Sequence, residues 1–227
     1  MGEPAFAPIP AGWFQMGSAD GKDDERPIHR VWVDPFALAV HPVTCEQYGD
    51  FIEATGHEHP RDWPSGPAPS DLPVTGISWL DCQAYCAWRS VRGEPVRLPT
   101  EAEWERAARG GHEGWRYPWA DDIPSWIPAD GRGPLDAPWP VTLGEPNAFG
   151  LYGIGANVHE WCADWHAADY YARSPERNPT GPASGIRRVS RGGSWRHAVT
   201  LSSCAARSRL DPSFRYTDYG FRVAADR

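Results

Sequence analysis

The sequence predicts an α+β domain with a small sheet, a few short helices and a large share of ordered coil. Three observations lead there. Glycine (23) and proline (24) together make about a fifth of the 227 residues, more than a helical or doubly wound domain uses. Residues 60–73 and 118–140 show almost no periodicity, and irregular segments that long in a compact domain are functional or pinned by tertiary contacts. Thirteen tryptophans are interleaved with that coil, and each offers a large apolar face to pack irregular backbone against.

The regular elements follow in chain order. Val31-Trp32-Val33 alternates as a short strand. Residues 43–54 follow Pro42, offer Thr44 as an N-cap with Gln47 three residues on, and place Tyr48, Phe51 and Ile52 at helical spacing. A second helix starts at Ser78, with Leu80, Ala84, Cys86 and Trp88 as its buried positions. The third begins after Pro99, where Thr100 and Glu103 form a capping box, and runs to about Arg109 before Gly110 and Gly111 stop it. Residues 187–191 and 220–224 read as further strands. No internal repeat, heptad or domain boundary is visible.

Composition excludes several classes. Aromatic residues at 12% supply too much buriable area for a disordered chain. No apolar run reaches membrane-spanning length, and residues 1–10 lack the basic flank and apolar stretch of a secretory signal, so a soluble chain with no membrane partner is expected. A formal net charge of −8 argues against nucleic acid, whose phosphates select basic surfaces.

Nine short motifs occur in a fixed order. They are residues 12–18 (Gly-Trp-Phe-Gln-Met-Gly-Ser), Pro42-Val43-Thr44, Ile77-Ser78-Trp79, residues 97–105 (Arg-Leu-Pro-Thr-Glu-Ala-Glu-Trp-Glu), Tyr117-Pro118-Trp119, residues 147–152 (Asn-Ala-Phe-Gly-Leu-Tyr), residues 157–161 (Asn-Val-His-Glu-Trp), residues 191–195 (Arg-Gly-Gly-Ser-Trp) and Gly220-Phe221-Arg222. The ordered set resembles the formylglycine-generating enzyme family, also called sulfatase-modifying factors, over essentially the whole chain. The resemblance implies a single domain over residues 1–227 with that family's variant of the C-type lectin fold, in which a small twisted antiparallel sheet and two to three helices support much coil.

Many of these positions have a purely structural reading. Trp104, Trp119, Trp161 and Trp195 suit the core. Arg97, Arg207 and Arg222 suit interior bidentate bonds, with Glu101 and Glu103 as candidate partners. Gly192 and Gly193 suit backbone that a Cβ would obstruct.

The resemblance also implies a chemistry that this chain lacks. The family's archetype oxidises a cysteine of a client sulfatase to formylglycine at a copper(I) held by two thiolates, shortly after the Arg-Gly-Gly-Ser motif. Soft thiolates are what copper(I) prefers, yet residues 195–203 contain no cysteine. Copper is therefore not expected. Cys82 and Cys86 share one helix face at i, i+4 but read as buried free thiols. By the resemblance, Ala108 stands where a partner for Cys204 is expected, and Val223 where one for Cys86 is. Five unpaired cysteines fit a reducing compartment, and a cytoplasmic location is expected.

Calcium is a second question. The resemblance maps one calcium site onto the carbonyls of Ala156 and Val158 and the side chain of Glu160, weakened because the first side-chain ligand falls on Gly153. The family's other calcium site falls in residues 121–140, where no ligands can be matched. Iron is left open. A nonheme site needs two histidines and a carboxylate, and His159 and His166 near Glu160 and Asp164 are the one tempting cluster. His159, however, stands where relatives carry a core tryptophan.

With the copper site gone, the surviving asset is the C-terminal coil. Trp195, Arg196, His197, Thr200, Ser202, Arg215, Tyr216, Asp218 and Tyr219 combine rigid aromatic and adaptable polar groups, as binding loops do. The expected function is binding of a peptide, protein or small-molecule ligand through that coil, without formylglycine generation. Variable proteins of diversity-generating retroelements share the fold and a similar terminal stretch, which adds a retroelement-diversified version of the same reading. The alternative is a nonheme-metal oxidoreductase acting on a peptide-derived substrate. Whether the chain is an enzyme is left open between the two.

Overall fold

Three helices are each begun by the same local chemistry. The computed structural model describes residues 4–61, 63–128 and 136–226. Strands β1 (Phe6–Ile9), β2 (Gly12–Met16), β3 (His29–Val33) and β4 (Phe36–Ala39) come first, then α1 (Cys45–Thr55), α2 (Trp79–Val91) and α3 (Glu101–Ala108). Thr44, Ser78 and Thr100 cap these helices, and in each case the third helical residue, Gln47, Asp81 or Glu103, returns a side-chain bond to the cap amide. Each reciprocal pair satisfies two amides that would otherwise be orphaned, worth about 1 kcal/mol per cap. The remaining strands are β5 (His159–Trp165), β6 (Arg188–Arg191), β7 (Arg207–Leu210), β8 (Tyr219–Gly220) and β9 (Ala224–Asp226). Among the described residues no helix is long and apolar enough to cross a membrane.

Among the described residues the strands form three small sheets: antiparallel β1-β4-β9, the hairpin β2-β3, and β7-β6-β5-β8, in which β8 runs parallel to β5. One hydrophobic cluster packs β1–β4 against Ala102, Trp104, Ala107 and Ala108 of α3. A second joins α1 and α2 to Trp161, Tyr219 and Phe221. A third gathers Ile127, Trp139, Ala156, Val158, Trp195 and Val199 from irregular backbone. Trp119 packs against this last cluster, while Trp104 and Trp161 are fully buried.

Two sequence expectations are corrected. Residues 220–224 are not one strand: β8 pairs with β5 and β9 with β4, and the chain crosses between the sheets through the buried Phe221, Arg222 and Val223. The crossing seats the Arg222 guanidinium against Glu160 and the carbonyls of Ala39, Val40 and Tyr152. Leu80 is also not a core position. It is 53% exposed, and α2 instead buries Cys82, Tyr85 and Cys86 together with Asp81 and Arg89.

Helix α3 is buried on every side, so its three glutamates need cations. Arg191 and Arg207 pair with Glu101, Arg97 with Glu103, and Arg191 and Arg109 with Glu105. Burial alone would raise the Glu101 carboxyl, but Arg207 and Arg191 outweigh it and hold the group at about 2. Removing one partner from such a network leaves an uncompensated charge, which costs about 3–5 kcal/mol.

Candidate functional site

The site forms where the coil after β6 meets the start of β5 and β8. His159 opens β5 opposite Tyr219 of the parallel strand β8, and its amide donates to the Asp218 carbonyl at 3.1 Å. That bond brings the Asp218 side chain beside the imidazole. From the other side, Gly193 and Trp195 donate backbone bonds to the Gly155 and Asn157 carbonyls, at 2.8 and 2.9 Å. A turn closed by the His197 amide on the Ser194 carbonyl, at 3.0 Å, then carries His197 back over His159.

The two glycines of the Arg-Gly-Gly-Ser-Trp motif make this approach possible. Gly192 has φ +77° and lies against Gly155 and Trp104. A Cβ on Gly193 would sit 1.8 Å from Ser202 Oγ, so Ser202 occupies the space that a side chain there would need.

His159 Nε2 lies 3.3 Å from His197 Nδ1 and 3.9 Å from Asp218 Oδ2. The Ser194 hydroxyl donates to Asp218 Oδ2 at 2.7 Å and lies 3.4 Å from His197 Nδ1. His159 and Asp218 are buried, whereas His197 faces solvent. Burial pushes His159 down to about 4, with Asp218 pulling the other way and His197 adding to the fall. At neutral pH its ring is therefore uncharged and one ring nitrogen keeps its lone pair.

A run of rings leads outward from this cluster. His159 packs on Tyr219 at 4.7 Å between centroids, Tyr219 on Tyr216 at 5.4 Å, and Tyr216 on Phe214 at 5.6 Å. Phe214 is 57% exposed and Tyr216 36%. The coil thus presents an aromatic face whose inner end is the His159–His197–Asp218 group.

The predicted surface residues divide. Arg196, His197, Thr200 and Tyr216 are exposed, and Asp218 and Tyr219 line the buried end of the site. Trp195 and Ser202 are corrections: Trp195 belongs to the third hydrophobic cluster, and Ser202 is 1% exposed beneath Gly193. Arg215 is a correction of another kind, since its guanidinium is spent on Asp81, the third residue of α2 and the partner of its cap Ser78, with two bonds of 2.8 Å. Burial would raise the Asp81 carboxyl, yet Arg215, Ser78 and His57 hold it at about 2. Arg215 therefore anchors the coil.

The metal expectations meet specific geometry. Glu160 is fully buried, and its carboxylate accepts Trp104 Nε1 at 2.7 Å and Arg222 Nε and Nη2 at 2.7 and 2.8 Å. A calcium ion at Ala156, Val158 and Glu160 would have to share that carboxylate with the Arg222 cation, and Gly153 supplies no side chain. The donor set does not fit a calcium ion, which takes six or more oxygens. Residues 129–135, within the segment expected to hold the other calcium site, lie outside the described residues.

A copper dithiol does not fit either. All five cysteines are buried free thiols, and burial pushes Cys86 and Cys204 up to about 12. Cys204 and Ala108 fall in one hydrophobic cluster, and Cys86 and Val223 in another. The tempting set around His166 is not assembled, because His166 bonds Asp24 at 3.2 Å and Asp164 accepts the Glu101 amide at the start of α3.

Sequence reasoning missed the union of His159, His197 and Asp218, with Ser194 as its brace. His159 and His197 are 38 residues apart, so no local spacing announces them. The available signal was the departure at His159, an imidazole where the family pattern leads one to expect a core tryptophan.

The comparisons agree with the fold. The model of the sulfatase-modifying factor enzyme 1-like domain matches residues 2–227. The chain is 37% identical to serine/threonine-protein kinase pkn1 of Chlamydia pneumoniae over 95% of its own length, and spans only 37% of that relative. It is 33% identical to the formylglycine-generating enzyme of Thermomonospora curvata, covering 96% of the chain and 92% of the relative. Among solved structures, PvdO from Pseudomonas aeruginosa superposes with a TM-score of 0.82 at 28% identity, covering 99% of this chain and 95% of that one. Treponema denticola variable protein 1 does so with 0.81 at 26% identity, covering 98% and 95%. The match across residues 2–227, together with the α+β architecture, places this chain in the formylglycine-generating enzyme, or sulfatase-modifying factor, family, with its C-type-lectin-like fold.

Proposed function

We propose that this chain binds a peptide, protein or small-molecule ligand on the aromatic face of its C-terminal coil, and that it does not make formylglycine by the copper dithiol route. The observation that carries the reading is the exposed pair Phe214 and Tyr216 on backbone held at both ends. Arg215 fixes the coil to Asp81, and the His159–Asp218 ladder bond fixes it to β5. Rigid aromatics on pre-ordered coil are what a recognition loop requires, since little ordering entropy remains to be lost on binding.

The likeness to Treponema denticola variable protein 1 favours a diversified version of the same role. Of the positions whose residue types adenine mutagenesis of asparagine codons can produce, Arg196, His197, Thr200, Phe214, Tyr216 and Thr217 are exposed. An adenine-rich template copy near the gene would support that version, and its absence would remove it. The five unpaired buried thiols suit a reducing, cytoplasmic setting. A second reading, a nonheme-metal oxidoreductase acting on a peptide-derived substrate, is favoured by the two imidazoles and the carboxylate that meet under this face.

The binding reading is tested by selecting ligands for the immobilised chain from a random peptide library. Selected peptides should lose affinity for a Phe214→Ser/Tyr216→Ser variant of unchanged thermal stability. Peptides that bind both proteins equally would refute the site. In parallel, a cysteine-containing sulfatase-type peptide incubated with the chain and copper(I) should remain a thiol by mass spectrometry. Conversion to the aldehyde would overturn the second half of the proposal.

A further inference from the structure

His159, His197 and Asp218 are the one group of three metal-ligating side chains brought within 4.8 Å of one another among the described residues. From their geometry we infer a divalent transition-metal site whose ligand atoms are His159 Nε2, His197 Nδ1 and an Asp218 carboxylate oxygen.

The separations decide the class of ion. Metal–nitrogen and metal–oxygen bonds of about 2.1 Å put adjacent ligand atoms about 3.0 Å apart in octahedral geometry and about 3.4 Å apart in tetrahedral geometry. The two imidazole nitrogens already stand 3.3 Å apart, and the Asp218 oxygen 3.9 Å from His159 Nε2. All three ligand atoms lie within 4.8 Å of one another, so side-chain rotation by exposed His197 and by Asp218 closes the set. Two imidazoles and one carboxylate suit zinc, iron(II) or cobalt(II), and are too rich in nitrogen for calcium or magnesium.

The surroundings resemble those that orient ligands in built metal sites. The Ser194 hydroxyl donates to the ligating carboxylate at 2.7 Å, so its rotamer is set before any ion arrives, as outer partners do in metalloproteins. His159 is held by its backbone bond to Asp218 and by its packing on Tyr219. In the metal-free protein the two facing nitrogens can share one ring proton, which a cation displaces. Three protein ligands leave a coordination position open on the exposed His197 side. An oxygen of a molecule seated on Tyr216 and Phe214 could reach it. The inference stands on these distances and does not require the ligand-binding reading.

The test is a titration of the chelator-treated full chain with cobalt(II), read by visible absorption, and with zinc(II), read by calorimetry. One ion should bind per chain with a Kd of about 10 μM or tighter, and the unfolding temperature should rise on saturation. The His197→Ala variant alters an exposed side chain and should keep its fold while losing affinity about 10–100-fold or more. Ser194→Ala should lose about tenfold, as removal of a carboxylate's brace does. His112→Ala, at a histidine stacked on Trp115 and not part of the three-residue group, should bind as the unaltered chain does. Absence of saturable binding by the unaltered chain overturns the inference. So does binding that survives His197→Ala, or that falls equally in His112→Ala. Failure here leaves the peptide selection untouched, and failure of the selection leaves the titration untouched.

Discussion

Replacing Glu160 by glutamine tests whether this carboxylate is a structural counter-ion. The substitution keeps the shape of the side chain and removes only its charge. In the native chain, Glu160 and Arg222 are both fully buried, and the carboxylate holds three donors at 2.7–2.8 Å. After the change, the Arg222 cation is left with the carbonyls of Ala39, Val40 and Tyr152 and a neutral amide. An uncompensated buried charge costs about 3–5 kcal/mol. At about 2–4 °C per kcal/mol for a domain of this size, unfolding should come roughly 6–20 °C earlier. Thermal and urea unfolding followed by tryptophan fluorescence would report it, since Trp104 donates to this carboxylate. The double variant Glu160→Gln/Arg222→Met should be less destabilised than the sum of the two single variants, because removing both partners removes the stranded charge. A loss below about 2 °C, too small for a stranded buried charge, would refute the counter-ion argument. So would a large calcium-dependent stabilisation of the native chain that the variant lacks.

Three further outcomes follow from the same geometry. Gly193→Ala should cost about 1–3 kcal/mol by overpacking, because the new Cβ would meet Ser202 Oγ at 1.8 Å and its Cβ at 2.9 Å. Adding Ser202→Gly should restore part of that loss in urea unfolding, and a non-additive gain is the required result. Asp81, held at about 2 from an ordinary 3.8, contributes stability that is complete above pH 4 and is lost as pH falls toward 2. The contribution is on the order of 2 kcal/mol. Asp81→Asn should flatten that part of the stability–pH curve, and an unchanged slope would exclude the Arg215 clamp. His159 has a dependence of the same sign in a higher pH window: keeping its buried ring uncharged costs stability as pH falls from about 6.5 toward 4, because the unfolded chain takes up the proton first. His159→Gln should remove that acid sensitivity.

Local signals and long-range ones differed in how well they could be read. The three N-caps depend on residues only three positions apart, so Thr44, Ser78 and Thr100 announced helices that the structure contains. The ordered motifs announced the family because they carry paired groups that the fold joins, among them Arg97 with Glu103 and Arg207 with Glu101, and tryptophans that fill its core, Trp104, Trp161 and Trp195. Leu80 was misassigned because helical spacing gives a buried face only relative to neighbours, and here the neighbours put Asp81 and Arg89 inside. Residues 220–224 read as one strand because alternation cannot reveal a chain passing from one sheet to another.

The sequence by itself determined the α+β class, the family and the absence of a thiolate pair after the Arg-Gly-Gly-Ser motif. These rest on residue identity and short spacing. Only the tertiary structure decided which surface residues are available. Trp195 and Ser202 are buried because the two glycines let coil 192–203 settle onto residues 155–157, and Arg215 is consumed by a carboxylate 134 residues away. Only the tertiary structure brought His159, His197 and Asp218 together, because a parallel ladder bond and a four-residue turn close the distance. Such contacts are set by the packing of the whole chain, and no window along the sequence contains them.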